Sequence, residues 1–488
     1  MPTEPTTTNN ANAINDTQGA QTRALTERLR AALRVPPGDG GDLALTAALR
    51  GRHPADIADA MGALARSESL AVFNWLDNAR AAEVLDELDP DLTGYLVQNA
   101  PPGRIADLLD RLPMDDAAEV VAEFVAEATP EQAEALLADL EARSPEDAAE
   151  VRELLSYGEN TAGRLMTDKF VRLQAGMTVE QAFAAVRNAD PDVETLTDLY
   201  VVDKPSVDDQ PEQLVGVLSL RDLVRAQPTD RIGNVMVKEP TSVTVDTDQE
   251  EVARLISKYD FLAMPVLDRQ GALAGIVTVD DVVDVLVEEQ TEDVLKLGGV
   301  SAAEGDSSYL STTVLDNVRN RFGWLLLLFV ASLFTGAVSR RFEPSIEKVA
   351  ALSTFIPLLI GTGGNAGAQA VMTVTRAIAL GEVRFGDWLH VLWREMRTGL
   401  LLGAIVAVAG FLFVSLIWHE GARLGLVIGC SLIAIVIWAN VVGSLLPIIA
   451  KRLGLDPAVM SAPFITTLVD ATGLLMYFLI ASAILPEL

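Results

Sequence analysis

One carboxylate lies where carboxylates are costly. In the otherwise apolar or hydroxyl-bearing run Phe464-Ile-Thr-Thr-Leu-Val-Asp-Ala-Thr-Gly-Leu-Leu-Met-Tyr, Asp470 falls near the middle. A charge at mid-membrane costs at least ~2.5 kcal/mol on insertion scales, so such a group is paired, faces water, or belongs to an ion path. The chemistry it offers is hard-cation binding. The competing reading is a structural carboxylate satisfied by the hydroxyls of Thr466, Thr467 and Thr472, of which Thr467 and Asp470 form an i,i+3 pair. A second candidate is Gly361-Thr-Gly-Gly-Asn-Ala-Gly-Ala-Gln-Ala, too glycine-rich for an ordinary apolar helix. Gly364 and its neighbours allow close helix approach or exposed carbonyls beside a pore, and Asn365 and Gln369, one helical turn apart, line one polar stripe. Asn440, Pro357 and Pro447 add weaker polar or kinked points.

A third constellation is acidic. Asp248, Glu250, Asp260, Asp280, Asp281, Asp284, Glu288, Glu289, Glu292 and Asp293 crowd one stretch of chain. Asp281, Asp284 and Glu288 fall at i, i+3 and i+7, so one helix face concentrates like charge. A solvated face is the plain reading. Mg²⁺ is the cation suited to bridging such a face, since it keeps several waters and accepts a few carboxylates without a dedicated cage.

The elements that must position these groups follow from the charge distribution. Residues 319–488 carry 12 Lys and Arg against 9 Asp and Glu, leaving 25 against 59 in the residues before them, a formal charge of −34. That excess repels nucleic acid and anionic headgroups and calls for divalent counter-ions, or else serves solubility. The single Cys430 and three scattered His exclude a disulfide framework and a soft-metal cluster, so any metal takes oxygen ligands. The N-terminus lacks a basic-then-apolar leader and is expected to stay in the cytoplasm.

Along the chain, residues 1–20 read as a disordered tail. Residues 21–157 repeat short amphipathic helices punctuated by Pro54, Pro90, Pro101, Pro113, Pro130 and Pro145, which suits a helical superhelix. Two related β-α-β-β-α units follow, 158–228 and 229–290, closing on Leu214-Val-Gly-Val-Leu and Leu273-Ala-Gly-Ile-Val; they resemble a tandem CBS-domain pair. A connecting helix is expected over 291–320, then a membrane domain over 321–488 with five spans near 323–341, 350–376, 396–418, 424–450 and 458–485. With the N-terminus inside, Arg319, Arg321, Arg376, Arg384, Arg394, Arg397, Lys451 and Arg452 fall on the inner side, in accord with the positive-inside rule, and the C-terminus falls outside. The fold class is therefore multidomain α+β with an α-helical membrane domain. No nucleophile elbow, phosphate loop, HExxH or paired-Cys motif occurs, so neither enzyme chemistry nor ATP-driven pumping has a seat, and transport should be passive.

This order of domains, with Pro357-Leu-Leu-Ile-Gly-Thr-Gly-Gly-Asn-Ala-Gly-Ala-Gln-Ala, Leu455-Asp-Pro-Ala and Pro463-Phe-Ile-Thr-Thr-Leu-Val-Asp, resembles the MgtE-type magnesium channels over nearly the whole chain. The resemblance implies a homodimer in the plasma membrane whose two copies enclose one pore, with Asp470 of each binding hydrated Mg²⁺. It implies a plug helix over about Thr291 to Asn317, and closure when cytosolic Mg²⁺ screens acidic surfaces. By position those surfaces carry to Asp248, Glu250, Asp260, Asp281, Asp284, Glu289, Glu292 and Asp293, with Asp115, Asp116 and Glu119 as partners in the N-terminal region. It also implies ATP as a ligand of the CBS pair, whose first unit carries the insertion Lys204-Pro-Ser-Val-Asp-Asp-Gln-Pro-Glu-Gln. The alternatives are a Co²⁺ or Mn²⁺ transporter of the same architecture and a non-conducting CBS-regulated membrane sensor. A hard-oxygen site favours Mg²⁺ over Co²⁺.

Overall fold

Proline punctuation sets the N-terminal architecture in the computed structural model, which describes residues 8–35, 41–191, 193–203, 212–301 and 313–485. Pro54, Pro90, Pro130 and Pro145 each open a helix, where the missing N–H is one the helix would leave unbonded anyway. Pro101 and Pro113 stand one residue before the helices Pro102–Leu109 and Met114–Glu127. Arginines staple successive helices through backbone carbonyls: Arg80 donates to Arg52, Arg104 to Leu76, and Arg143 to Gly103 at 2.8 Å. Ile57, Met61, Phe73, Leu85, Leu96, Ile105, Leu108 and Leu109 fill the interior.

Of the tail expected to be disordered over 1–20, residues 1–7 lie outside those described, and from Thr8 a helix runs to Leu33. Leu25, Leu29 and Ala32 recur at helical spacing and are buried, and a helix anchored there propagates upstream at little cost once nucleated.

The period then changes from helical to extended, and the β-α-β-β-α order appears twice. Phe170–Gln174 pairs in parallel with Thr195–Asp203, which pairs antiparallel with Gln213–Ser219. Val243–Thr244, Ala263–Leu267 and Leu273–Thr278 repeat the same pairing. The repeats exchange their leading segments. Ala162 and Gly163 donate to the carbonyls of Thr247 and Val245, while Ile232 and Gly233 donate to those of Met177 and Ala175. Each exchange drives a methionine onto a glycine of the other repeat: a Cβ on Gly216 would lie 2.5 Å from Met236 Sδ, and one on Gly275 would lie 2.8 Å from Met166 Cγ. This explains the matched glycines of the two closing strands.

Two compact units divide between Glu288 and Glu289, inside the helix Val279–Leu297. The expected plug helix over 291–320 is corrected in its bounds. Val279–Leu297 stops before Gly299, whose φ of +70° is a left-handed stop. Residues 302–312 lie outside those described, as does most of the Lys204 insertion, and a new helix starts at Val314, capped by Thr313.

In the second unit five long helices run Val314–Arg341, Ala351–Ala379, Trp388–Leu412 with a π-helical turn Phe413–Ile417, Ala422–Arg452, and Ala462–Ile484. Four are long and apolar enough to cross a membrane. The second, Ala351–Ala379, is 29 residues long but not among those four; its glycines and amides dilute its hydropathy, and it packs against both the fourth and the fifth. The glycines make that packing: a Cβ on Gly363 would meet Ile435 at 2.5 Å, on Gly367 Ile465 at 2.8 Å, and on Gly443 the Gly367 carbonyl at 2.6 Å. Pro357 sits inside the second helix, and the buried Tyr477 hydroxyl donates to the Leu352 carbonyl one turn before it, at 3.0 Å.

Gly216→Val should destabilise the CBS pair by roughly 1–3 kcal/mol, the usual cost of overpacking, read as a lowered urea midpoint with unchanged helix content by circular dichroism.

Candidate functional site

Two carboxylate sites emerge, one in each unit. In the first, the helix Met114–Glu127 begins with Asp115 and Asp116, placed by chain direction at the positive end of the helix dipole. The helix Asn78–Asp86 ends on Asp86, and Val279–Leu297 carries Asp281 in its first turn, held by Thr278 Oγ1 donating to Asp281 Oδ2 at 2.5 Å. The carboxylate oxygens of Asp115, Asp116 and Asp281 lie within 4.8 Å of one another. Each charged pair at that separation repels by about 3 kcal/mol at an effective dielectric of ~20.

The protonation equilibria register this crowding. Burial, then Asp281 and Glu194, push Asp115 up to about 8. Burial, then Asp86 and Asp115, raise Asp116. Glu119 is lifted to about 7 by burial and Glu123, and Asp281 to about 6 by burial and Asp280. Asp115 Oδ1 is buried without a hydrogen bond. Asp86, Asp116, Glu119 and Glu123 also line a cavity of about 30 Å³. Opposite oxygens on a Mg²⁺ ion at ~2.1 Å stand about 4.2 Å apart, so the cluster suits a small hard cation that keeps part of its water.

The other acidic candidates divide. Burial raises the Asp86 carboxyl, a hydrogen bond with Asp116 opposes that rise, and Asp284 adds to it. Asp248 is the N-cap of Gln249–Tyr259 and accepts from the Glu250 N–H, and Asp260 ends that helix at φ 54°. Glu289, Glu292 and Asp293 lie on the far part of Val279–Leu297. There Lys296 Nζ bridges Glu292 Oε1 at 2.6 Å and Asp456 Oδ2 at 2.7 Å. Burial and then Asp456 raise Asp293. Asp456 also caps the 3-10 turn Pro457–Val459 by accepting from the Ala458 N–H.

Residue reasoning did not single out Asp86, Glu194, Glu123 or Asp456. Asp86 sits in the repeat Ala81-Ala-Glu-Val-Leu-Asp-Glu-Leu, and Asp456 in Leu455-Asp-Pro-Ala, both visible as patterns; the signal for a ligand role was the acidic residue at a helix end.

In the membrane unit, Asp470 is half-buried near the middle of Ala462–Ile484 and has no hydrogen-bond or ion-pair partner among the described residues. The hydroxyls expected to satisfy it do not. Thr466 donates to the Ala462 carbonyl, Thr467 to Pro463, and Thr472 to Leu468 while accepting from Trp438 Nε1. Gly364 is buried against Thr466, its virtual Cβ 2.7 Å from Thr466 Cγ2, so its place is in helix packing. The glycine run stays helical from Ala351 to Ala379, which favours close approach over exposed carbonyls. Asn365 and Gln369 remain exposed along one stripe, continued by Thr373 and Arg376. Asn440 is buried and donates to the Val436 carbonyl at 2.8 Å, which makes it a packing residue.

The loop before the last helix links these parts. Ser461 caps Ala462–Ile484 by accepting from the Phe464 N–H, and accepts from Trp324 Nε1 at 3.1 Å.

Comparison with known proteins gives the same division. A family model described as a divalent cation transporter, MgtE, matches residues 356–480; the MgtE intracellular N domain matches 52–160; and the CBS domain matches 162–229 and 232–288. The magnesium transporter MgtE of Thermus thermophilus is 40% identical over 460 residues, covering 94% of this chain and 99% of that one. That of Bacillus subtilis is 34% identical, over 89% of this chain and 87% of that one. The cytosolic domain of the Mg²⁺ channel MgtE, solved in complex with ATP, is 40% identical with a TM-score of 0.48, over 53% of this chain and 99% of that domain.

With divalent ions chelated, the raised carboxyls mean that the folded state binds more protons than the unfolded chain between about pH 4 and pH 8. The acidic unit should therefore lose stability as pH rises through that window. Saturating Mg²⁺ or Asp115→Asn should flatten the slope, measured by thermal unfolding in EDTA across pH.

Proposed function

This chain belongs to the MgtE family of divalent cation transporters, and from that premise we propose that it is a passive Mg²⁺ channel admitting Mg²⁺ to the cytoplasm, closed by Mg²⁺ bound to its own acidic cytosolic region, without enzymatic activity. The carrying observation is Asp470: a membrane carboxylate with no partner among the described residues, beside a second helix that exposes Asn365 and Gln369. A lipid-facing polar stripe is costly, so these groups face water or a second copy. Two copies of the chain meeting along that stripe would enclose a wet path with an Asp470 from each side. A paired carboxylate site that leaves water on the ion suits Mg²⁺, which dehydrates reluctantly.

We place the N-terminus inside and the C-terminus outside, in the plasma membrane, as the basic residues of the inner loops favour. ATP is retained as a candidate ligand of the CBS pair by family resemblance.

The gate follows from one helix. Val279–Leu297 carries Asp281 in its first turn and Lys296 in its last. Mg²⁺ at Asp115, Asp116 and Asp281 removes the repulsion among them and fixes the first turn of the helix. The far end grips Asp456, just ahead of Ser461, the cap of the helix that carries Asp470. Loss of Mg²⁺ restores the repulsion and loosens the helix, and the grip on the loop with it.

Asp470→Asn should abolish Mg²⁺ flux into proteoliposomes while the protein still elutes as a dimer; undiminished flux would remove the pore assignment. Asp281→Asn should raise the Mg²⁺ concentration that protects the soluble region from proteolysis, on the order of tenfold for a lost ligand charge. An unchanged protection midpoint would count against the cluster as the sensor.

A further inference from the structure

Three of the membrane helices meet at one end around Val374, Ile378, Val391 and Ile448, with Val383 of the intervening turn packed against them. Outside this small core the surface is basic. Arg376, Arg384, Arg394, Arg397, Lys451 and Arg452 are all exposed there, and none forms an ion pair among the described residues. In the soluble region some arginines are paired, Arg143 with Asp107, Arg152 with Glu134, and Arg269 with Asp246. The acidic groups of the basic end, Glu382, Asp387, Glu395 and Asp456, are fewer; Asp387 is engaged by the Arg384 backbone N–H and Asp456 is held by Lys296. Aromatic rings interleave with the cations. Trp388 and Trp393 are 42% and 58% exposed, and the Arg452 guanidinium lies 4.1 Å from the centre of the exposed Phe385 ring. Arg397 Nε donates to the Trp393 carbonyl, which holds its side chain along the helix.

We propose that this end is a binding surface for anionic phospholipid headgroups. Guanidinium forks match a phosphodiester in shape and charge, and tryptophans settle at headgroup depth, where one edge is wet and the other apolar. Over the first turns of Trp388–Leu412, where a membrane-crossing helix enters the headgroup layer, Trp388 and Trp393 are followed by Arg394 and Arg397. The other partner of matching charge is the acidic soluble region of the same chain, but that would not call for exposed tryptophans among the cations. The inference rests only on the membrane location and holds whichever ion is carried.

The test uses the full-length protein in nanodiscs of phosphatidylcholine with graded phosphatidylglycerol, reading retained lipid by native mass spectrometry. The wild type should retain phosphatidylglycerol in preference. Arg394→Gln/Arg397→Gln/Lys451→Gln/Arg452→Gln should lower that preference at least tenfold, at roughly fivefold per basic residue near an anionic surface. Arg340→Gln/Arg341→Gln, at the other end where Phe342 stacks on Phe478, should leave it unchanged. If the fourfold variant does not fold, the pairs Arg394→Gln/Arg397→Gln and Lys451→Gln/Arg452→Gln are read separately, each expected to fall severalfold. No preference in the wild type, or an equal preference in folded variants, overturns the proposal. So does an unchanged preference accompanied by a shifted Mg²⁺ protection of the soluble region, which would assign the surface to the acidic domains.

Discussion

Carboxylates held within 4.8 Å of one another in a partly buried setting cannot all stay charged without a cation between them. That constraint organises the soluble half of this protein. Asp115 and Asp116 come from one helix start, Asp86 from another helix end, and Asp281 from the helix that continues toward the membrane unit. Each is placed by ordinary helix packing, with Ala117, Ala118 and Val121 buried behind the acidic turn. Apolar burial thus supplies the force that gathers the charges, and the charges oppose it.

The membrane unit obeys the complementary constraint that polar groups must be satisfied within the chain or meet water. Thr466, Thr467 and Thr472 obey by bonding their own helix backbones, and Asn440 does the same. The buried hydroxyls of Thr375, Ser415 and Ser431 go without a partner among the described residues, as do the more accessible Asp470, Asn365 and Gln369, which lie on the two helices that the glycines draw together. Close glycine packing and a partnerless polar stripe are two consequences of one segment: Gly363, Gly364 and Gly367 face inward while Asn365 and Gln369, set between and beyond them in sequence, face out.

Much of this was legible in the sequence because it rests on periodicity. The duplicated strands, the matched glycines at Gly216 and Gly275, the proline-opened helices and Asp470 in its apolar run all announce themselves locally. What was not legible depends on which chain ends meet. Asp86 and Asp456 are single acids in acidic or motif-bearing segments, and only tertiary packing brings Asp86 to Asp116 and Asp456 to Lys296. The stop at Gly299 is carried by the pair Gly298-Gly299, which ends the charged helix where the resemblance ran the expected plug helix onward. Asp248 caps the start of Gln249–Tyr259 through its carboxylate and Asp260 ends that helix through its backbone N–H, positions that chain spacing alone does not reveal.

Whether the acidic cluster is strong enough to work as a switch is a question of magnitude. Turning a two-state equilibrium from 1:99 to 99:1 takes about 5.5 kcal/mol of differential binding. Three mutual repulsions of about 3 kcal/mol each, at an effective dielectric of ~20, exceed that before proton uptake is considered. Proton uptake reduces the sum, since Asp115 held near 8 is largely protonated at neutral pH in the absence of metal. Asp116, raised further to about 10, is protonated as well, so Asp281 alone of the three keeps its charge and the repulsion within this cluster is too little for full turnover. Proposed gating therefore needs either metal-driven deprotonation, which makes the Mg²⁺ response steeper as pH rises, or the second cluster of Glu289, Glu292, Asp293 and Asp456. There Lys296 already supplies one fixed positive charge to Glu292 and Asp456. A tethered cation holds that contact at any Mg²⁺ concentration, which assigns the Mg²⁺-dependent part of the work to the Asp115, Asp116 and Asp281 end of the helix.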